Sequence, residues 1–276
     1  MRVTGRGIAA AAAGAALTMV LAGCGGESHS SAAGASQAGD KAANKRTDAP
    51  TVLMAAAKKT AEQASYRTIQ TGEGGSDKSE MLFQQQPYAS SITSSGKKSA
   101  DNPTGVNQVI VTGDAAYIKS DQIPGKSWYR MDKPASSGPS NARAAGSINE
   151  VAGALAATGS TSWVGEEQVG GRAADHYRGT VVFEELARYT GPAIKDEVRD
   201  YYVQLAKRRG ETSAVLDMWV GKDDLVLKSQ QVTTGSKGQA QVFEEYSDFG
   251  TVPAITAPPA ETVGTWDEFI AGTAKR

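Results

Sequence analysis

Few side chains in this 276-residue chain have the type and placement to do chemistry; it holds two histidines and one cysteine. His176 follows Asp175, and an aspartate beside a histidine suggests a general base. However, His176 alternates with Arg178 and Thr180 opposite Tyr177, Val181 and Phe183, which is the period of a half-buried strand. That places the ring on the more polar face, as a solvated or hydrogen-bonded histidine. Glu166-Glu167, Glu184-Glu185 and Glu244-Glu245 are adjacent carboxylates. In strands, neighbours face opposite ways, so the pairs at 166 and 244 cannot act together. Asp223-Asp224 follows Gly221 and reads as turn chemistry before a calcium site. Tyr201-Tyr202 reads as helix packing. One cysteine and two histidines leave too few ligands for a structural zinc site and no internal disulfide framework. The phosphate-loop, dinucleotide, nucleophile-elbow and zinc-helix motifs are absent. No catalytic residue, metal or cofactor is expected, and the chain reads as a non-enzyme.

The cysteine is the exception. Cys24 closes Leu21-Ala22-Gly23-Cys24, which resembles a bacterial lipobox. Upstream, Arg2 and Arg6 precede an uncharged Ala-rich run from Ile8 to Leu21, the pattern of a secretory signal peptide over residues 1–23. The arginines are not adjacent, which favours the general secretion route. A thiol is the nucleophile a thioether-linked diacylglycerol requires, and the small neighbours let peptidase and lipid approach. Cys24 is therefore expected to become the lipidated N-terminus. Two or three acyl chains anchor stably where one is marginal. Residues 24–48 then contain no apolar side chain larger than alanine beyond Cys24 and read as a flexible tether, with His29 a solvated residue inside it. A coil of that length spans roughly 25–30 Å. The expected location is extracytoplasmic, held to the cell membrane.

Composition sets the remaining bounds. The chain is 39% hydrophobic and 21% charged, with a net charge of −1. Without residues 1–23 it keeps 27 basic and 30 acidic residues, a net charge of −3. That balance points away from a nucleic-acid binder. Residues 49–276 are expected to form a single domain.

A helix opens it, with Asp48 as a plausible cap before Pro50, and Leu53, Ala56, Ala57, Thr60, Ala61 and Ala64 on one face. Strands are expected over 66–70, 79–84, 108–111, 116–119 and 128–131, with 90–105 and 132–146 as polar loops. Ser147 and Glu150 form a capping-box pattern before a helix that Gly159 ends. Strands over 163–169 and 174–183 make a hairpin. Gly191-Pro192 opens a second clear helix. Its end carries Lys207, Arg208 and Arg209, most simply as dipole-complementing residues before Gly210; contact with lipid headgroups is the lesser reading. Strands over 213–220, 225–228 and 239–249 follow, then an extended proline-rich tail. Thr265 and Glu268 form a second capping box before a short terminal helix. The total is nine to eleven strands with three or four helices. The strands are joined by short turns, which favours an α+β fold: a large curved antiparallel sheet with helices over its concave face.

The order of these features resembles a known family. The lipobox, tether and Ala-rich first helix are followed by Trp163–Glu167, Gly170–Tyr177, Ala214–Gly221 and Phe249–Pro258. This looks like the actinobacterial LppX/LprG-type (LppX/LprAFG) cell-envelope lipoproteins, whose fold is similar to that of LolA and LolB, an open half-barrel. The resemblance implies a cavity between sheet and helices that binds lipid or another hydrophobic ligand. No cavity residue belongs to a shared motif. Period-2 alternation alone assigns Met81, Phe83, Val109, Tyr177, Val181, Leu216 and Met218 to the concave face. For each of them, packing against a helix is as good a reading as lining a cavity. The competing expectation is thus a non-catalytic envelope interaction module with a filled core, and a hydrolase built on His176 is a weaker third.

Overall fold

The computed structural model describes residues 48–72, 78–95, 98, 104–120, 125–132 and 141–273, the backbone alone at 141–147 and 273. The chain divides into Met1–Gly39 and Asp40–Arg276, and every described residue belongs to the second unit. Residues 1–47, with Cys24 and most of the tether, lie outside the described residues.

Helix α1 (Ala49–Ala61) buries Leu53, Ala56, Ala57 and Thr60, a stripe at helical spacing made of mostly small residues. Pro50 lies in its first turn, but Asp48 makes no capping bond. Thr60 Oγ1 donates to the Ala56 carbonyl at 2.8 Å and accepts from the Val226 backbone N–H at 2.9 Å, tying α1 to the sheet. Helix α2 (Asn141–Ala157) packs on α1 and carries Ile148, Ala152 and Leu155 into the core. Gly153 lets α2 approach residues 193–194: a Cβ there would sit 2.9 Å from the Ala193 carbonyl oxygen.

Twelve strands form one open sheet. They are β1 (Ser65–Gly72), β2 (Lys78–Gln84), β3 (Ala89–Ser95), β4 (Val106–Val111), β5 (Ala115–Lys119), β6 (Trp128–Asp132), β7 (Ser162–Val169), β8 (Arg172–Val182), β9 (Glu211–Gly221), β10 (Val226–Gly235), β11 (Gly238–Ser247) and β12 (Val263–Thr265). The spatial order is β12-β6-β5-β4-β3-β2-β1-β11-β10-β9-β8-β7. Neighbours are antiparallel except β12, which runs parallel to β6. Two more helices, α3 (Phe183–Leu186) and α4 (Asp196–Arg209), join α1 and α2 on the face formed by β8, β9 and β10. This is the inner face. Helix α5 (Trp266–Thr273) sits at the other end of the sheet, against β6 and β12. The core lies under α1–α4, where Leu53, Ile148, Leu155, Tyr177, Val181, Leu216 and Met218 are buried together. The expected fold class holds: a large antiparallel sheet with helices on one face.

Several boundaries differ from the sequence reading. Strand β3 lies partly inside the stretch read as a polar loop, because Ser and Thr replace the usual apolar alternation around Ile92; β2 and β4 pair with it on both sides. Helix α2 begins at Asn141, so Ser147 is internal and not a cap. The Ala-rich run from 142 to 145 after Pro139 already favours helix. Gly191 and Pro192 lie in a turn, and α4 starts at Asp196, where Asp196 and Glu197 suit the N-terminal dipole. Phe183 leaves strand β8 to open α3. The second capping box is as expected. The Thr265 N–H donates to Glu268 Oε2 at 2.7 Å, and the Glu268 N–H donates to Thr265 Oγ1 at 3.2 Å.

Candidate functional site

Strand register places the seven alternation-picked residues on one face. Tyr177 stands opposite Met218, Met218 opposite Ser229, and Ser229 opposite Glu244. Glu244 shares its side with Tyr246, which faces Thr68; Thr68 faces Met81, Met81 faces Ile92, and Ile92 faces Val109. The seven do not share one environment. Phe83, Tyr177, Val181, Leu216 and Met218 are at most 4% exposed and belong to the closed core. Burial pushes the Tyr177 phenol up to about 12. Val181 also borders a small cavity of about 140 Å³ with Ala157, Leu186 and Tyr189.

Met81 and Val109 stand apart from that group. Met81 is half-buried at the margin of the core, and Val109 is half-buried beyond it. The register continues the row through Ile118 to Tyr129. Met81, Ile92, Val109 and Ile118 form a half-buried apolar row across β2–β5. Tyr129, fully buried, ends it against Phe269 of α5, ring centroids 5.0 Å apart. Among the described residues, α1–α4 make their main sheet contacts with β8–β10 and not with these strands. Ile92 and Ile118 join the row beside the residues that alternation assigns to this face. Ile92 was hidden by the serines around it; Ile118 was in an expected strand and alternation would have found it.

Polar groups gather where the closed core meets this row. Glu244 accepts from Tyr246 Oη at 2.6 Å and from Gln70 Nε2 at 3.0 Å. Tyr202 Oη donates to Gln231 Oε1 at 3.1 Å. Glu150 of α2 is held above the usual carboxylate range, first by burial and then by the nearby Glu244 charge. Burial and Glu244 also push the Tyr66 and Tyr246 phenols up.

The opposite face carries the histidine. His176 is the hydrogen-bonded histidine of the two alternatives and not the solvated one; it is 4% exposed. Its Nδ1 lies 2.8 Å from Glu167 Oε1 and its Nε2 lies 2.5 Å from Asp217 Oδ1. Arg178 Nε donates to the same Asp217 oxygen at 2.6 Å. The ring stacks on Trp219 at 4.2 Å, and Trp219 Nε1 donates to Glu167 Oε2 at 2.8 Å. That indole bond, with His176, lowers the Glu167 carboxyl. Both ring nitrogens are thus occupied by carboxylates, an arrangement that fixes strands β7, β8 and β9 together and turns neither nitrogen to a substrate. Asp175 points elsewhere, accepting from Trp163 Nε1 at 3.1 Å. The adjacent carboxylates split as expected: Glu167 serves His176, while Glu166 pairs with Lys222. Asp223-Asp224 lies in the β9–β10 turn, with Asp224 at φ 57°. Among the described residues no group of three or more His, Cys, Asp or Glu is placed to hold a metal. No described helix is long and apolar enough to cross a membrane.

An open groove of about 660 Å³ lies at the β6–β12 end, lined among others by Tyr117, Arg130, Pro258, Thr265 and Trp266. Register puts Tyr117 and Arg130 on the side opposite the apolar row, so this groove shares none of the seven residues.

No family model matches the sequence. An uncharacterised 31.2 kDa protein from the rplA–rplJ intergenic region of Streptomyces griseus is 32% identical over 117 residues, 42% of this chain and 38% of that one. The match therefore spans about two fifths of the length of that curated relative. Among solved structures, the lipoprotein LppX from Mycobacterium tuberculosis aligns with a TM-score of 0.44 and 12% identity, over 75% of this chain and 97% of that one. LprF from Mycobacterium bovis aligns with a TM-score of 0.51 and 12% identity, over 78% of this chain and 98% of LprF. At that identity the likeness is one of fold: this chain has the LprF fold, an open antiparallel sheet with helices on one face.

Proposed function

We propose that this protein is a membrane-anchored, extracytoplasmic lipoprotein that binds or carries lipid or another hydrophobic ligand on the inner face of its sheet. The observation that carries the reading is the half-buried row Met81–Ile92–Val109–Ile118, which continues the sealed core outward. Each methylene moved from water onto such a row gains about 0.8 kcal/mol, whereas moving it from a bilayer gains almost nothing. Loading from a membrane is then close to balanced and reversible, as a carrier requires. The lipobox at Cys24 and the tether supply proximity to the bilayer, and the LprF-like fold agrees with the reading. The chemistry needs no catalytic group, and the occupied ring of His176 fits a non-enzymatic role. Organic extraction and mass spectrometry of the purified protein test it. A stoichiometric lipid beyond the acyl chains on Cys24 is expected; a clean extract from protein with intact fold contradicts it.

A second reading is a non-catalytic envelope interaction module. It is favoured by the complete burial of Leu216 and Met218, which leaves no ligand space beneath α1–α4 at those positions.

A further inference from the structure

The end of α4 holds a feature that the carrier reading does not use. Lys207, Arg208 and Arg209 occupy its last turn, all exposed. Gly210 follows in the left-handed conformation at φ 73° and closes the helix. The β10–β11 turn packs directly on this closure: the Ser236 N–H donates to the Gly210 carbonyl at 2.9 Å. Exposed Lys237 is the next residue, so a fourth cation from a distant part of the sequence joins the other three. None of the four has an ion-pair partner among the described residues. Their surroundings are largely neutral, with Thr212 bonded to the Thr234 carbonyl and Ser236 bonded to Gly210. The nearby acid, Glu211, is half-buried and accepts a bond from Thr233.

Helix-dipole complementation accounts for cations in the last turn of α4, and it falls off beyond that turn. It gives no reason for Lys237 on the adjoining hairpin. We propose that Lys207, Arg208, Arg209 and Lys237 form a docking surface for an anionic bilayer, so that the domain meets the membrane with this end of its sheet. Four clustered cations are the chemistry that anionic headgroups attract. A nucleic acid asks for a longer basic track than four residues on a chain of net charge −1. The choice of a bilayer rests on the anchored reading above, because the tether would hold the start of α1, and with it the domain, within roughly 25–30 Å of a membrane.

The test uses the full lipidated chain in vesicles of phosphatidylcholine alone and of phosphatidylcholine mixed with phosphatidylglycerol. Amide hydrogen exchange is followed at residues 207–210 and 236–239. Exchange there is expected to slow on the order of fivefold or more in the anionic vesicles. High salt should remove the slowing, because it screens surface charge. The variant K207Q/R208Q/R209Q/K237Q should also remove it while still unfolding cooperatively, with a melting temperature lowered by the lost dipole complementation in α4. If that variant fails to fold, the salt series on the native chain decides. Equal exchange in both vesicle types, or slowing that salt does not reverse, overturns the proposal. Failure to float with neutral vesicles counts against the lipid anchor, while the anionic vesicles still decide the patch.

Discussion

Met218 and Met81 lie on the same face of one sheet, yet Met218 is completely buried while Met81 is half-buried at the core's margin. The difference follows from where the helices sit. Helices α1–α4 pack over β8–β10, and the row beyond β1 is left to other cover. One periodic pattern thus runs through two environments, one sealed and one accessible.

The sealed half should respond to added volume as a core does. Leu216→Trp is expected to cost roughly 1–3 kcal/mol or more, since that buried site lines none of the cavities among the described residues, and Val181→Trp is expected to cost less, because Val181 borders the small cavity beside Leu186 and Tyr189. Denaturant titration measures this. An unchanged midpoint in both variants would place hidden space under the helices.

The histidine cluster makes a structural prediction. Asp217 is 1% exposed and holds both His176 and Arg178 through one oxygen, while its Oδ2 has no partner among the described residues. Asp217→Ala strands two donors and should destabilise by about 3 kcal/mol. Arg178→Ala should cost less, because that side chain is half-exposed and its loss leaves His176 on Asp217. Thermal or chemical unfolding of the two variants checks the order, and a reversed order would contradict it.

Glu150 gives a pH dependence. Its carboxyl is raised in the folded state by burial and then by Glu244, so the folded chain holds that proton more tightly than the unfolded chain. The stability contributed is present below the unfolded carboxylate value and is lost as pH rises through the raised folded value. Glu150→Gln removes this loss. The variant should melt higher than the parent at about pH 7, and the gap should close near pH 4. A gap that widens on acidification would refute the assignment.

Much of this arrangement is legible in the amino-acid pattern, and the failures have physical causes. Alternation put Tyr177, Leu216 and Met218 on one face correctly, because strands of ten or eleven residues repeat the period several times. It could not separate core from accessible surface, since both are apolar and the cover comes from helices elsewhere in the chain. Strand β3 escaped because Ser90, Ser91, Thr93, Ser94 and Ser95 pair their backbones as well as any apolar residue would. Ser147 misled because the capping pattern also occurs inside helices, and only the position of the first turn distinguishes the two. The His176 network was half-visible: the polar face could be read, but Glu167 and Asp217 are brought to the ring by register across three strands.

Anchoring is tested separately from the fold. Cys24→Ser removes the thiol that would form the thioether, so labelled fatty acid should no longer enter the protein. A chain beginning at Asp48 should still unfold cooperatively, because the tether offers the core no large apolar side chain. Persistent label in Cys24→Ser would refute Cys24 as the lipidated residue.

The central claim is that the row through Ile92 and Val109 holds a hydrophobic ligand, and Val109→Trp tests it most directly. Binding of a fluorescent fatty-acid probe is titrated for the parent and the variant, with unfolding stability measured on the same samples. The account predicts that the parent binds the probe and that the indole, occupying ligand space, weakens binding tenfold or more, about 1.4 kcal/mol. Stability should move by less than about 0.5 kcal/mol, as at an accessible site. A parent that binds no probe, together with a Val109→Trp variant destabilised as strongly as Leu216→Trp, would contradict the carrier and leave the filled interaction module in its place.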